Sequence, residues 1–111
     1  MKTIDGVPHD RSTEIQLLAA LVADQDYLYR VASDIKPEYF FNLICRRIYT
    51  TMLGIGEDGG KYSEALIMDA LPEDSSTIYE VFDAAITGTT SLHFAKQLKQ
   101  YAYAREVYKF G

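Results

Sequence analysis

The chain has 111 residues and a mass of 12.6 kDa, and its 48% hydrophobic and 24% charged content is that of one small folded domain. Its 16 acidic and 11 basic residues leave a net charge of −5, which argues against a domain that grips nucleic-acid phosphates over its whole surface. The apolar runs are too short to span a bilayer, and a single cysteine cannot form an internal disulfide, so we expect a cytoplasmic protein.

Apolar residues recur at three- and four-residue intervals, which predicts helices rather than strands. The first helix begins after Asp10, a favourable N-cap. Its buried face is predicted to comprise Ile15, Leu18, Ala19 and Val22. A weaker pattern over residues 24–35 predicts a second helix that ends before Pro37, and Pro37 opens a short turn that reaches Phe41.

Three helices are predicted in the middle of the chain. Asn42 caps the first of them, which ends in the glycine-rich run 54–60. Ser63 caps a short helix that stops before Pro72. A cap within Asp74–Ser76 begins the third, which ends at Gly88. The inward face of this third helix is predicted to comprise Ile78, Val81, Phe82, Ala85 and Ile86.

The last segment, which Thr90 or Ser91 caps, differs from the others because its larger side chains repeat as a heptad. The repeat, named here the heptad seam, comprises Phe94, Leu98, Tyr101, Arg105 and Tyr108. Such a seam is typical of a helix that pairs with another, and its apolar face would otherwise be exposed. The seam is therefore our predicted protein interface. Within one structural domain, we predict a globular head over residues 1–91 and the first arm of a helical hairpin over residues 92–111.

These elements together predict an all-α protein, a small orthogonal multi-helix globule of about five to six helices whose last helix begins the hairpin. Its charge is uneven: residues 57–83 carry eight acidic residues and one lysine, whereas residues 84–111 carry four basic residues and one acidic. Such an uneven surface is useful for the choice and steering of partners, although it is equally compatible with an acidic face that is only solvated.

No residue set for catalysis, cofactor binding or metal binding is visible. The run Gly54–Gly59 matches the dinucleotide pattern G-x-G-x-x-G, but a helix precedes it and two acidic residues stand where an anion would bind. We therefore interpret it as the end of a helix. His9, His93 and Cys45 lack a second ligand at metal-binding spacing. Cys45 is most simply a small buried side chain, with a reactive thiol as the minor alternative.

Tyrosine is abundant, with nine residues and no tryptophan. Tyrosine is enriched at protein interfaces because it offers a large rigid surface with one polar end, so we favour an interaction role. The alternative is base stacking with phosphate contacts. Its residues would be Tyr101, Tyr103 and Tyr108 together with Lys99, Arg105 and Lys109. The negative net charge makes this alternative the weaker one.

An ordered set of short motifs resembles the N-terminal domain of bacterial replicative DNA helicases of the DnaB type. The motifs are Val7-Pro8-His9-Asp10, Glu14-Ile15-Gln16-Leu17-Leu18, Pro37-Glu38-Tyr39-Phe40-Phe41 and Arg46-Arg47-Ile48-Tyr49, followed by a glycine-rich break. Thr89-Thr90-Ser91 into Phe94 resembles the family again, where its helical hairpin begins. The chain departs from the family at residues 60–63, where a Pro-Ile-Asp stretch usually stands, and residues 64–87 are shorter than the common form.

The resemblance implies a non-catalytic collar that assembles as a trimer of dimers through the hairpin and docks primase and the helicase loader. It implies little or no direct DNA binding by this domain and no membrane contact. The second hairpin arm is absent from these residues, so self-association of this chain as a dimer or higher oligomer should be weakened. ATP and Mg²⁺ would belong to the motor domain of an ATP-dependent 5′–3′ DNA helicase, and none is expected in this chain. The alternative is a stand-alone adaptor, for example one carried by a phage, with a helicase-like head.

Overall fold

The computed structural model describes residues 3–4, 7–8, 10–87 and 93–110. Two short strands, β1 (Thr3–Ile4) and β2 (Val7–Pro8), pair antiparallel, with Thr3 opposite Pro8 and Ile4 opposite Val7. The helices that follow are α1 (Arg11–Ala23), α2 (Tyr27–Ala32), α3 (Leu43–Glu57), α4 (Glu64–Ala70), α5 (Ser75–Thr87) and α6 (His93–Phe110). Turns of 3₁₀ helix lie at Pro37–Tyr39 and Pro72–Asp74. The predicted all-α class is confirmed, whereas the predicted boundary at residue 91 and the caps at Thr90 or Ser91 lie outside the described residues.

Helix α1 lies at the centre of the fold. The side chain of Asp10 accepts a hydrogen bond from the backbone N–H of Ser12 at 3.0 Å, which confirms the predicted N-cap. The sequence predicts one buried face, but burial extends around the whole helix because α2, α3, α5 and α6 all pack against it. The buried residues include Ile15, Leu17, Leu18, Ala19, Ala20 and Leu21. A helix with apolar residues on every side has this central position because no side of it gains from facing water.

Helix α3 begins as predicted, and it ends at Glu57, within the glycine-rich run 54–60 that was predicted to end it. The Asn42 side chain accepts hydrogen bonds from the backbone N–H groups of Ile44 and Cys45, each at 3.0 Å. Gly54 and Gly56 lie inside the helix, and a Cβ on Gly56 would lie only 2.8 Å from Leu28, so glycine allows α2 to approach this closely. Gly59 follows the end of the helix, and its φ of 75° lies in the left-handed region that favours glycine.

The segment from α4 to α5 is joined to the core by charge as well as by packing. Ser63 caps α4 through a hydrogen bond from the backbone N–H of Leu66, as predicted. The buried Asp74 accepts two hydrogen bonds of 2.9 Å from the Arg47 guanidinium on α3, which holds the pKa of that carboxyl below its usual range. This bidentate pair connects the start of α5 to α3.

The outer side of α5 contradicts part of the sequence prediction. Ile78 and Val81 are buried as expected, but Ile86 is 83% exposed. With 3.6 residues per turn, Ile86 is rotated by about 80° from Ile78, so it falls at the edge of the apolar stripe. The spacing alone placed it inside, whereas the packing of the neighbouring helices leaves it outside.

Candidate protein-interaction surface

Helix α6 has an inner and an outer face. The inner face packs on α1 and β2 and buries Leu98, Tyr101 and Ala102. The outer face is defined here by the exposed residues Lys96, Gln100, Tyr103, Glu106 and Val107. One face of α6 therefore packs on the head, and the opposite face is exposed to solvent.

The structure places the heptad seam on the inner face where its side chains are described. Leu98 is only 1% exposed, and Tyr101 is also buried, so the expectation that these two residues are exposed in the isolated chain is wrong. Heptad spacing shows which residues share one face of a helix, but not whether that face packs within the chain or between chains. The side chains of Phe94 and Tyr108 lie outside the described residues. The role of the seam in assembly stays a prediction.

Arg105, the charged member of the seam, connects α6 to the turn that precedes α3. Its guanidinium donates a hydrogen bond to the carbonyl oxygen of Tyr39. It also lies over the ring of Phe41, with 5.4 Å from Cζ to the ring centroid. Burial lowers the pKa of Arg105, and the nearby charge of Glu14 opposes that shift. Arg105 thus anchors the second half of α6 to residues 39–41.

The turn that Arg105 contacts is itself organised by Glu14, a residue that sequence reasoning assigned no such role. Glu14 is 1% exposed, and its carboxylate accepts hydrogen bonds from the backbone N–H groups of Phe41 at 3.0 Å and Asn42 at 3.1 Å. Burial raises the pKa of Glu14 above its ordinary value of 4.5, although both hydrogen bonds act in the opposite direction. An acidic residue in a helical first turn is the usual partner of the helix dipole, so its position in the sequence gave no signal of this tertiary contact.

The outer face of α6 carries two large apolar side chains one helical turn apart. Tyr103 is 53% exposed and Val107 is 71% exposed. The ring of Tyr103 meets that of Tyr39 edge to face, with 6.1 Å between centroids. The Nζ atom of Lys99 lies 5.8 Å from the Tyr103 ring centroid and 2.7 Å from a carboxylate oxygen of Asp34. These contacts hold Tyr103 in place while leaving half of its surface available.

A groove of about 660 Å³ runs between α2 and α6, beside the outer face. We name it the α2–α6 groove. Its lining residues are Tyr27, Arg30, Val31, Asp34, Ile35, Ala95, Lys96, Lys99, Gln100 and Tyr103. The lining combines aliphatic and aromatic side chains with three cations and one carboxylate. This composition suits a protein partner better than a polar small molecule.

The structure gives the dinucleotide pattern G-x-G-x-x-G no suitable context. Gly54 and Gly56 lie inside α3, and Gly59 follows its C-terminal end, where the helix dipole is negative and disfavours an anion. Burial raises the pKa of the Cys45 thiol to about 12, so this thiol is protonated at neutral pH and a poor nucleophile. Within the described ranges, no three His, Cys, Asp or Glu side chains are grouped to hold a metal ion. Among those same ranges, no helix is long and apolar enough to cross a membrane.

Comparison with known proteins identifies a family for this chain. The sequence model of a family described as the DnaB-like helicase N terminal domain matches residues 6–109, which is nearly the whole chain. No curated protein and no solved structure gives a match. The family match covers both the head and α6, so it includes every surface described above.

Proposed function

Because this chain belongs to the DnaB-like helicase N-terminal domain family, we propose that it is the collar domain of a replicative DNA helicase. In this role it assembles as a trimer of dimers and docks primase and the helicase loader during DNA replication in the cytoplasm. The chemistry of unwinding belongs to a separate motor domain of the parent chain, which uses ATP and Mg²⁺. The domain itself contributes binding surfaces and no catalytic residue.

The observation that carries this proposal is the outer face of α6. Tyr103 and Val107 expose apolar surface on a helix whose other side is already packed against the head. The half-exposed ring of Phe41 lies in the turn to which the same part of α6 is anchored. Exposed apolar surface of this kind supports a protein contact. We propose that the last helix pairs with its counterpart through Tyr103 and Val107.

Electrostatics supports a collar that makes little or no direct contact with DNA. The net charge is −5, and residues 57–83 carry eight acidic residues against one lysine. Binding to a phosphate backbone depends on Lys and Arg, of which this segment has only Lys61. The basic residues of α6 are partly engaged within the chain, since Lys99 pairs with Asp34 and Arg105 contacts Tyr39. The charge pattern therefore supports protein partners.

We expect Val107→Asp to weaken self-association of the chain without disturbing its fold. The substitution places a charge in the proposed helix pair, and an apolar contact of this kind contributes about 1–2 kcal/mol, so the dimer dissociation constant should rise about tenfold or more. Sedimentation equilibrium measures this constant. Glu106→Gln is the matched control, because it alters the adjacent exposed residue without adding a charge to the contact. A dissociation constant that Val107→Asp leaves unchanged would contradict pairing through this face.

A further inference from the structure

The outer side of α5 carries an apolar ridge that no part of the described chain covers. Its residues, Tyr79, Phe82 and Ile86, define the α5 ridge, and their spacing of three and then four residues puts them on one side of the helix. Tyr79 is 59% exposed, Phe82 is half-buried, and Ile86 is 83% exposed. Large apolar side chains this exposed and this closely spaced mark an interaction surface rather than scattered surface residues.

The α5 ridge lies in an acidic environment. Glu64, Glu80 and Asp83 line the same surface depression of about 500 Å³ as the three ridge residues. Arg11 forms a bidentate ion pair with Glu80, with N–O distances of 2.7 and 2.8 Å. Among the described residues of this depression, the carboxylates thus outnumber the guanidinium groups. Residues 62–92 contain six acidic residues and no basic one, and Arg47 and Arg11 from other helices pair with two of the six, Asp74 and Glu80. The acidic residues of this segment favour a partner with positive charge.

The α2–α6 groove has the complementary properties. Val31 and Ile35 provide a buried apolar floor, and Ala95 of α6 adds to it. Its charged lining residues are Arg30, Lys96, Lys99 and Asp34. Three cations and one carboxylate line the groove, so positive charge predominates there, whereas carboxylates predominate among the residues that line the ridge depression. The groove and the ridge thus combine an apolar centre with charges of opposite sign, as complementary interfaces do.

The dimensions of the two surfaces agree as well. From Ala95 to Tyr103 the groove follows α6 for about 12 Å, and the ridge from Tyr79 to Ile86 is about 10 Å long, at 1.5 Å of rise per residue. We propose that the α5 ridge of one copy docks in the α2–α6 groove of a second copy. The contact is heterologous, because it joins two different surfaces, and it therefore propagates from copy to copy. It rests on the proposed role in assembly, and the groove shares Lys96, Gln100 and Tyr103 with the outer face of α6.

The test uses the whole chain with Val107→Asp in every sample, so that pairing through the outer face of α6 is removed. The ridge variant adds Ile86→Asp, and the groove variant adds Arg30→Glu and Lys96→Glu. All three substituted side chains are exposed, so circular dichroism and the thermal midpoint should match those of the Val107→Asp parent. Tyr79→Ser is a second ridge variant that adds no charge. Sedimentation velocity over a wide range of concentrations measures the species present.

A heterologous contact predicts a distinctive pattern in the sedimentation of the parent, of each variant and of their mixture. The parent should self-associate, each variant alone should sediment as a monomer, and an equimolar mixture should form a one-to-one dimer and nothing larger. This follows because the intact groove of the ridge variant can accept only the intact ridge of the groove variant. A monomeric parent, a mixture that stays monomeric, or a variant that still assembles alone would overturn the inference. Failure of α6 pairing gives a different result. In that case the Val107→Asp parent self-associates as strongly as the wild type, and the equimolar mixture still forms its dimer.

Discussion

Leu98→Asp is expected to unfold the domain or bring it close to unfolding. Leu98 is 1% exposed within the core that α6 forms with the head, so the substitution buries an unpaired carboxylate and removes apolar packing. We expect a loss of at least about 4 kcal/mol, against a total stability of about 5–15 kcal/mol for a domain of this size. Urea unfolding followed by circular dichroism measures the loss.

Two companion substitutions make this result interpretable. Leu98→Ala removes packing without adding a charge, so it should lose about 2–4 kcal/mol and still fold. Gln100→Asp introduces the same carboxylate into an exposed position of the same helix, and it should change the stability by about 0.5 kcal/mol or less. If Leu98→Asp unfolded at the same urea concentration as Gln100→Asp, α6 would not be packed on the head as described.

Glu14→Ala is expected to have the second largest effect. Its carboxylate is the acceptor for the backbone N–H groups of Phe41 and Asn42, and alanine leaves both of these part-buried donors without that partner. Because an unsatisfied buried donor costs about 1–3 kcal/mol, we expect a loss of about 2–4 kcal/mol in all. Thermal unfolding measures it, with Glu38→Ala as the control, since Glu38 is an exposed carboxylate close to the same turn. Equal midpoints for these two variants would contradict the role assigned to Glu14.

The pH dependence of this effect has a defined sign. Burial raises the pKa of Glu14 in the folded state above 4.5, so the folded chain holds this proton more tightly than the unfolded chain does. The contribution of Glu14 to stability is therefore largest below pH 4.5, decreases as the pH rises through the raised pKa, and is constant above it. Glu14→Gln keeps one acceptor oxygen and does not titrate, so the difference in stability between it and the wild type should show this dependence.

Local features of the fold could be predicted because each depends on a few neighbouring residues. Asp10, Asn42 and Ser63 cap their helices as expected, since an N-cap hydrogen bond joins a side chain to a backbone group two or three residues later. Helix α3 ends at Glu57, inside the glycine-rich run where its end was predicted, although the glycines of that run have different roles. Gly56 lies inside the helix against Leu28, and only Gly59 has the conformation that ends it.

Tertiary features could not be predicted in the same way. The spacing of Leu98 and Tyr101 identified a shared face, but the head itself covers that face. Glu14 joins residues 27 and 28 positions away along the chain, a distance that no local pattern reports. Ile86 shows the opposite error, because periodicity placed it inside and the arrangement of the neighbouring helices leaves it exposed. The candidate surface therefore came from the structure, although the helix that carries it was identified from the sequence.

The reading frame beyond the codon for Gly111 distinguishes the collar of a replicative helicase from a stand-alone adaptor. We predict that the frame continues through a second amphipathic helix into a strand, the phosphate-binding motif G-x-x-x-x-G-K-[ST] and a helix. The motif would supply the ATP-binding site of the parent chain. A stop codon immediately after Gly111 would contradict the collar role and would favour a stand-alone adaptor that keeps a helicase-like head.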